Sequence, residues 1–180
     1  SDTILGVAFN YACEGFFQVN IPVYEKALSD MKAWINCNKK MPTLDLYSGV
    51  GTIGLTIGGD DVTLVEINEH AVAEMQRNIV KLNRPNAKAI LAPSEKSLEY
   101  ITGEQIVIVD PPRAGLHADV TNRLLETEPP RIIYLSCNPV TQARDVSLLQ
   151  EKYEIVHHQG YNFFPRTPHI EHLVVLDKKA

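Results

Sequence analysis

Cys137 is the residue whose type and setting point most directly to covalent chemistry. It lies in Ser136-Cys137-Asn138-Pro139, where Asn138 suits the N-cap of a helix and Pro139 its first residue. The helix dipole and the free N–H groups at a helix N-terminus favour a thiolate. This cysteine is therefore predicted to ionise readily and to act as a nucleophile.

Glu171 is the matching candidate for a general base. It precedes the last strand-like run, and a carboxylate in a partly dehydrated pocket has a raised pKa that suits proton abstraction. His169 and His172 flank it, and such a cluster also suggests a metal site. No second cluster with ligand spacing supports one, so we predict no metal.

A glycine-rich loop predicts a cofactor site. Gly49, Gly51 and Gly54 match the spacing G-x-G-x-x-G, which lets backbone N–H groups approach a ligand closely. The next strand-like run ends in Glu66, an acid that can accept hydrogen bonds from both ribose hydroxyls of an adenosine. A dinucleotide and S-adenosylmethionine both fit. The acid Asp45 within D-L-x-x-G-x-G favours S-adenosylmethionine.

The segment Asp110-Pro111-Pro112-Arg113 follows another strand-like run. The two prolines lack N–H donors and fix φ, so neither strand nor helix continues through them. They form a rigid shelf that presents the Asp110 carboxylate and the Arg113 guanidinium at the edge where open α/β sheets bind ligands.

Alternating strands and helices must position these residues. The strand-like runs are short and nearly continuously apolar, as in a parallel sheet buried on both faces. They cover residues 43–47, 62–66, 88–92, 106–110, 131–136, 154–157 and 173–176, with helices predicted over 68–82, 117–126 and 139–150. The pattern predicts a doubly wound, mostly parallel seven-stranded sheet. Too few residues separate the last two runs for a crossover helix, so the last strand is predicted to be antiparallel.

The first part of the chain follows a different pattern. Residues 4–9 and 16–19 are predicted to pair as a small hairpin, and a helix is predicted from about Pro22 to Trp34. We therefore predict an N-terminal appendage over residues 1–40, packed on a catalytic domain over residues 41–180.

Composition bounds the function. The 180 residues are 44% hydrophobic and 22% charged, as in an ordinary globular chain, and 17 basic against 22 acidic residues give a net charge of −5. That charge argues against unaided binding to nucleic acid. Three cysteines without a C-x-x-C pair predict a reduced, cytoplasmic protein, and no apolar run is long enough to span a membrane.

A methyl donor, a thiolate and a general base together indicate methylation at carbon 5 of a pyrimidine. That carbon is not nucleophilic enough alone. Addition of a thiolate to carbon 6 activates it, and a base must afterwards remove the carbon 5 proton.

Five segments, in order and over nearly the whole chain, resemble the motifs of the S-adenosylmethionine-dependent RNA 5-methyluridine methyltransferases. They are F-F-Q-V-N at 16–20, D-L-Y-S-G-V-G at 45–51, D-P-P-R-A-G at 110–115, S-C-N-P at 136–139 and F-P-R-T-P-H-I-E at 164–171.

The resemblance implies a Rossmann-like class I methyltransferase that methylates a uridine of ribosomal or transfer RNA through a covalent adduct. Cys137 would be the nucleophile and Glu171 the base, and Arg113 would orient the flipped nucleotide or the shelf. The implied cofactor contacts, beside the glycines of the loop, are Gln18, Tyr47, Thr52, Glu66, Ser94 and Asp110. The family often has Asn at the position of Thr52.

The resemblance also implies that N-terminal RNA-binding domains, absent from these 180 residues, supply much of the RNA affinity. Two alternatives stay open on the residues alone. One is an NAD-dependent oxidoreductase that uses the same glycine loop, and the other is a non-catalytic cofactor-binding module of a larger assembly.

Overall fold

The computed structural model describes residues 1–11, 20–35 and 41–180. Its strands are β1 (Asp2–Ile4), β2 (Val7–Phe9), β3 (Thr43–Leu46), β4 (Val62–Glu66), β5 (Ala87–Leu91), β6 (Ile106–Val109), β7 (Arg131–Ser136), β8 (Tyr153–Tyr161) and β9 (Glu171–Lys178). Its α-helices are α1 (Ile21–Trp34), α2 (Thr52–Ile57), α3 (Glu69–Lys81), α4 (Ala118–Thr127) and α5 (Pro139–Leu149).

Seven of these strands form one sheet in the order β5-β4-β3-β6-β7-β9-β8. The five strands from β5 to β7 pair in parallel, and β9 is antiparallel to both of its neighbours. The predicted mostly parallel sheet with an antiparallel last strand is therefore confirmed. The strand order reverses direction between β3 and β6, which makes the carboxyl ends of these two strands the expected ligand-binding edge.

Two apolar layers enclose the sheet. Side chains of β6 alternate between them: Ile106 and Ile108 join the layer that contains α1, α2 and α3, while Val107 and Val109 join the layer that contains α4 and α5. All four are buried, which explains why the strand reads as a continuous apolar run rather than an alternating one.

Helix starts agree with the capping residues in the sequence. Asn68 caps α3 by accepting a hydrogen bond from the Ala71 N–H at 3.1 Å, and Asn138 caps α5 by accepting one from the Val140 N–H at 3.2 Å. Helix α4 begins at Ala118, and His117 is its cap rather than its first residue. These starts direct the segments that carry the site toward the carboxyl edge of the sheet.

The predicted N-terminal hairpin is wrong where it can be compared. Residues 4–9 do not form one strand, because the chain turns back within them: β1 and β2 pair with each other around Leu5 and Gly6. Both turn residues have positive φ, 49° and 76°, as a tight two-residue hairpin turn requires. Its predicted partner, residues 16–19, lies outside the described residues.

Helix α1 packs on the main sheet. Ala27, Leu28 and Met31 are fully buried in the same apolar layer as α2 and α3. The division of the chain at residue 40 stays a prediction. No helix in the described ranges is long and apolar enough to cross a membrane.

Candidate active site

The loop between β3 and α2 adopts conformations that its glycines permit. Gly49 and Gly51 have φ of 55° and 86°, which L side chains rarely adopt. A Cβ on Gly51 would also lie 2.9 Å from Leu55 Cδ1. The backbone thus turns tightly over the end of β3 and leaves its N–H groups close to the sheet edge.

Asp45 lies beneath this loop and is almost completely buried. Its Oδ2 accepts a hydrogen bond from the Gly54 N–H at 2.8 Å, while its buried Oδ1 has no partner among the described residues. Burial raises the pKa of Asp45 to about 7. An unpartnered buried carboxylate oxygen calls for a donor from a ligand or a water molecule.

Glu66 ends β4 beside the same loop. Its two carboxylate oxygens accept hydrogen bonds from the Gly49 N–H at 2.9 Å and the Asn68 N–H at 2.8 Å. Two backbone donors from different segments therefore fix the carboxylate at the sheet edge. Each oxygen keeps a further lone pair for a ligand hydroxyl.

Asp110 follows β6, next to the end of β3. Its pKa is raised well above the ordinary value, first by burial and then by the nearby charges of Glu171 and Asp45. Three acidic side chains from three strand ends therefore share one small region. Such a region favours a cation, because a positive charge would relieve their mutual repulsion.

Arg113 connects the proline shelf to two other segments. Its carbonyl oxygen accepts hydrogen bonds from Asn138 Nδ2 at 2.9 Å and Thr141 Oγ1 at 3.0 Å. Its guanidinium Nη2 lies 2.7 Å from His169 Nδ1. The shelf is thus tied to the start of α5 and to the segment that leads into β9.

Cys137 lies half-buried between β7 and α5. The expectation of a readily ionised thiol is wrong for this structure. Burial raises the pKa of Cys137, the charges of Glu171 and Asp110 raise it further, and Arg113 offsets only part of the effect. Burial and the two nearby carboxylates together therefore outweigh the favourable helix N-terminus.

Glu171 is the first residue of β9 and is only 5% exposed. Burial raises its pKa to about 7, against the opposing influence of Arg113. The antiparallel register pairs Ser136 with His172, so the residues just beyond this pair, Cys137 and Glu171, meet at one end of the ladder. The Cys137 thiol and the Glu171 carboxyl, whose pKa is near neutrality, thus lie at the same edge of the sheet.

Four predicted cofactor contacts remain, Tyr47, Ser94, Thr52 and Gln18, and Ser94 is buried. Tyr47 has a positive φ of 62°, and its hydroxyl contacts the Ser94 side chain and the His117 backbone. Thr52 begins α2 and is buried. Gln18 lies outside the described residues.

Sequence reasoning missed Tyr24. This buried residue of α1 lies near Thr52 and close enough to Asp110, Asp45 and Glu171 for their charges to raise its pKa further above the level set by burial. Its ring packs edge-on against Phe163 with centroids 5.8 Å apart. The amphipathic pattern of α1 predicts only a core position, so no local signal pointed to the site.

No group of three or more His, Cys, Asp or Glu side chains within the described ranges is arranged to hold a metal ion. The expectation that this chain binds no metal stays a prediction. His169 contacts Arg113, and His172 Nδ1 contacts the Gln142 side chain at 2.7 Å, so both histidines beside Glu171 have other partners.

The family model for tRNA (uracil-5-)-methyltransferase matches residues 5–179. An uncharacterized RNA methyltransferase of Enterococcus faecalis is 37% identical over 185 residues, which cover 99% of this chain and 40% of the relative. One of Nanoarchaeum equitans is 36% identical over 179 residues, 98% of this chain and 39% of the relative. The chain therefore spans about 40% of the length of the curated relatives it matches.

Among solved structures, the tRNA (uracil-54, C5)-methyltransferase of Pyrococcus abyssi in complex with S-adenosyl-L-homocysteine is similar with a TM-score of 0.87 and 34% identity. The match covers 97% of this chain and 43% of that one. The precorrin-6y C5,15-methyltransferase of Geobacter metallireducens shares the fold alone, with a TM-score of 0.71 and 11% identity over 95% of this chain and 94% of that one. The Rossmann-like class I fold expected from the motifs is confirmed.

Proposed function

The chain belongs to the tRNA (uracil-5-)-methyltransferase family, and on that premise we propose that it transfers a methyl group from S-adenosyl-L-methionine to carbon 5 of a uridine in ribosomal or transfer RNA. One observation carries the proposal. Cys137 and Glu171 lie just beyond the last pair of the β7–β9 ladder, and the charges of both Glu171 and Asp110, the residue after β6, act on the Cys137 thiol. Methylation at this carbon requires a nucleophile and a base at one place.

The residues at the switch point fit S-adenosyl-L-methionine, which supplies the methyl group. The unpartnered oxygen of Asp45 is an acceptor suited to the cofactor's ammonium group, and the region that Asp45, Asp110 and Glu171 share suits a sulfonium cation. Glu66, fixed by two backbone donors, would hold the ribose hydroxyls. The remaining proposed contacts are Gln18, Tyr47, Gly49, Gly51, Thr52 and Ser94.

Cys137 acts first in the proposed reaction. Its thiolate adds to carbon 6 of the uracil, which must be flipped out of its stack to reach the half-buried sulfur. The electron pair displaced by this addition makes carbon 5 nucleophilic. Because Asp110 and Glu171 raise the pKa of the thiol, a cation placed between these carboxylates would lower it again.

Glu171 acts second. Once carbon 5 has accepted the methyl group, the Glu171 carboxylate removes the proton from that carbon, the C5–C6 double bond re-forms, and the bond between carbon 6 and Cys137 breaks. A pKa of about 7 suits a group that accepts a proton in one step and releases it before the next turnover. Arg113 would orient the flipped nucleotide, or the shelf on which Asp110 lies, through its contacts with both neighbouring segments.

Mass spectrometry of nucleosides tests the proposal. We expect 5-methyluridine to be missing from one position of ribosomal or transfer RNA in cells that lack the gene, and to return when the gene is restored. Unchanged 5-methyluridine in both RNA classes would refute the proposal. Calorimetry separates the cofactors, since binding of NAD in place of S-adenosyl-L-methionine would indicate a nicotinamide enzyme instead.

A further inference from the structure

Gln142 of α5 is a buried polar residue whose side-chain oxygen and nitrogen are both hydrogen-bonded. It is 1% exposed. Its Nε2 donates to the carbonyl oxygens of Tyr134 and His172, each at 2.9 Å, and its Oε1 lies 2.7 Å from His172 Nδ1. Since the amide nitrogen is used on the two carbonyls, the amide oxygen must be the acceptor, and Nδ1 of His172 carries the proton.

These contacts join three elements at one point. Tyr134 belongs to β7, His172 to β9 and Gln142 to α5, the helix that begins two residues after Cys137. His172 also pairs with Ser136 at the end of the β7–β9 ladder. Gln142 therefore bridges β7 and β9 close to the end of their ladder: Tyr134 lies three residues before Cys137, and His172 lies one residue after Glu171.

A role in packing alone does not explain this residue. Helix α5 buries two apolar side chains, Val146 and Leu149, and two polar ones, Gln142 and Asp145. Asp145 accepts hydrogen bonds from the Tyr134 hydroxyl and the Leu116 N–H, whereas Gln142 also bonds to β9 through His172. A buried amide must give up its hydration, and hydrogen bonds in the interior recover that cost only when they are all made. Hydrogen bonds fix direction and distance far more narrowly than apolar contacts do, which is what a site with two cooperating side chains needs.

We infer that Gln142 is a positioning residue that, through His172, sets the distance between the Cys137 sulfur and the Glu171 carboxyl. The inference rests on the proposed function, because it gives these two groups consecutive steps of one reaction. It deepens that function by assigning the geometry of the pair to a side chain that touches neither of them.

The test measures how strongly Glu171 influences Cys137, without requiring RNA. Iodoacetamide alkylates Cys137, and mass spectrometry follows the reaction on the peptide that contains this cysteine. The dependence of the alkylation rate on pH gives the pKa of the thiol in the 180-residue chain. In the parent chain, Glu171→Gln should lower that pKa, because the Glu171 charge raises it. In a Gln142→Met background we expect this shift to shrink at least about twofold, since a charge interaction weakens with distance and with added water.

Gln105→Met is the matched control. Gln105 is also buried and hydrogen-bonded, to the N–H and hydroxyl of Thr102, but it precedes β6 at the opposite end of the sheet. In this background the effect of Glu171→Gln on the thiol pKa should be fully retained. An equal shift in the Gln142→Met, Gln105→Met and parent backgrounds would overturn the inference.

A second pair of variants covers the case in which Gln142→Met does not fold. His172→Leu removes the Nδ1–H donor, whereas His172→Asn keeps an N–H donor at a similar place. We expect the influence of Glu171 on Cys137 to fall in the first and to be retained in the second. Equal influence in both would contradict the inference.

Failure of the proposed function can be distinguished from failure of the positioning role. If the parent chain shows the Glu171 effect, and Gln142→Met weakens it, while the 5-methyluridine content of RNA does not depend on the gene, the positioning role stands and the methylation of RNA does not. If RNA is methylated but Gln142→Met leaves both the thiol pKa shift and kcat unchanged, only the positioning role is wrong. If the positioning role is right, we expect Gln142→Met to lower kcat by up to about 100-fold while the KM for the cofactor stays constant, as for other small misplacements of catalytic groups.

Discussion

Ser136 of β7 and His172 of β9 are the last paired residues of their antiparallel ladder, and that register brings Cys137 and Glu171 together. Cys137 and Glu171 are far apart in sequence, and the strands beside them, β7 and β9, run in opposite directions. A shift of one residue in the register would turn the β9 side chains to the other face of the sheet. The pairing of β7 with β9 is thus as important to the site as the identity of the two side chains.

Substitution of the proposed nucleophile should stop turnover without removing cofactor binding. We expect Cys137→Ala to lower the rate of methyl transfer by at least about 10³-fold, because in the proposed reaction the addition of this thiolate activates carbon 5. Calorimetric affinity for S-adenosyl-L-methionine should stay unchanged, since the proposed cofactor contacts do not include the thiol. Cys37→Ala, a cysteine outside the matched motifs, serves as the control, and methylation by Cys137→Ala at the parent rate would exclude it as the nucleophile.

Substitution of the proposed base should trap the reaction after methyl transfer. Glu171→Gln cannot remove the carbon 5 proton, so elimination stalls and a covalent RNA adduct should accumulate. Denaturing electrophoresis with labelled RNA would reveal it as a band that survives heat and detergent. The adduct should be absent from the double variant that also carries Cys137→Ala. If Cys137 still reacts with iodoacetamide in Glu171→Gln and no adduct forms, Glu171 is not the base.

The raised pKa of Glu171 should make stability depend on pH. The pKa rises from 4.5 to about 7 on folding, so the folded chain binds this proton more tightly than the unfolded chain. The stabilisation is present in full below pH 4.5 and is lost as the pH rises through about 7. Relative to the parent, Glu171→Gln should therefore gain stability across this window, by up to about 3 kcal/mol. Urea unfolding at several pH values measures the difference, and parallel curves for the two proteins would contradict the shift.

Gly54 should not tolerate a side chain even though it lies in a helix. Alanine is normally better than glycine in a helix by about 1 kcal/mol. Here a Cβ would lie 2.7 Å from Asp45 Oδ2 and 2.9 Å from Leu64 Cδ2. We expect Gly54→Ala to cost about 1–3 kcal/mol of stability and to weaken cofactor binding by displacing Asp45. Thr56→Ala in the same helix removes a hydroxyl that has no partner among the described residues and should leave both quantities nearly unchanged.

The 180 residues alone should bind RNA weakly. With 17 basic and 22 acidic residues they offer little net attraction to phosphates, so affinity should vary only slightly with salt. Fluorescence anisotropy with a labelled RNA at about 50 and 200 mM salt measures both quantities. Tight binding with a steep salt dependence would show that these 180 residues supply substantial RNA affinity of their own.

The local chemistry of the strands and loops made much of this fold predictable. Residues 62–66 and 131–136 were predicted to the residue, because buried parallel strands are marked by continuous apolar runs bounded by polar turns. Strand β8 was predicted too short, over residues 154–157. It lies at the sheet edge, where exposed residues such as His158 and Gln159 hide the pattern.

Properties that depend on groups from distant segments could not be predicted. The N-terminus of α5 suggested an ionised Cys137, but burial and the charges of Glu171 and Asp110 raise the pKa of that thiol, and both effects arise only in the folded sheet. Tyr24 and Gln142 occupy ordinary core positions of their helices, and nothing in their local sequence indicates what they contact across the sheet.

Helix α1 and the residue before it contact the segment that leads from β8 to β9. Asn20 Nδ2 donates to the Phe163 carbonyl oxygen at 3.1 Å, Tyr24 packs on the Phe163 ring, and Asp30 accepts a hydrogen bond from the Tyr161 hydroxyl at 2.8 Å. These contacts brace the connection that carries the chain from β8 to Glu171. Any exchange of N-terminal regions between relatives would therefore have to break the chain before Asn20. In a chimera joined at residue 40, the segment that leads to Glu171 would be supported by residues from the other relative.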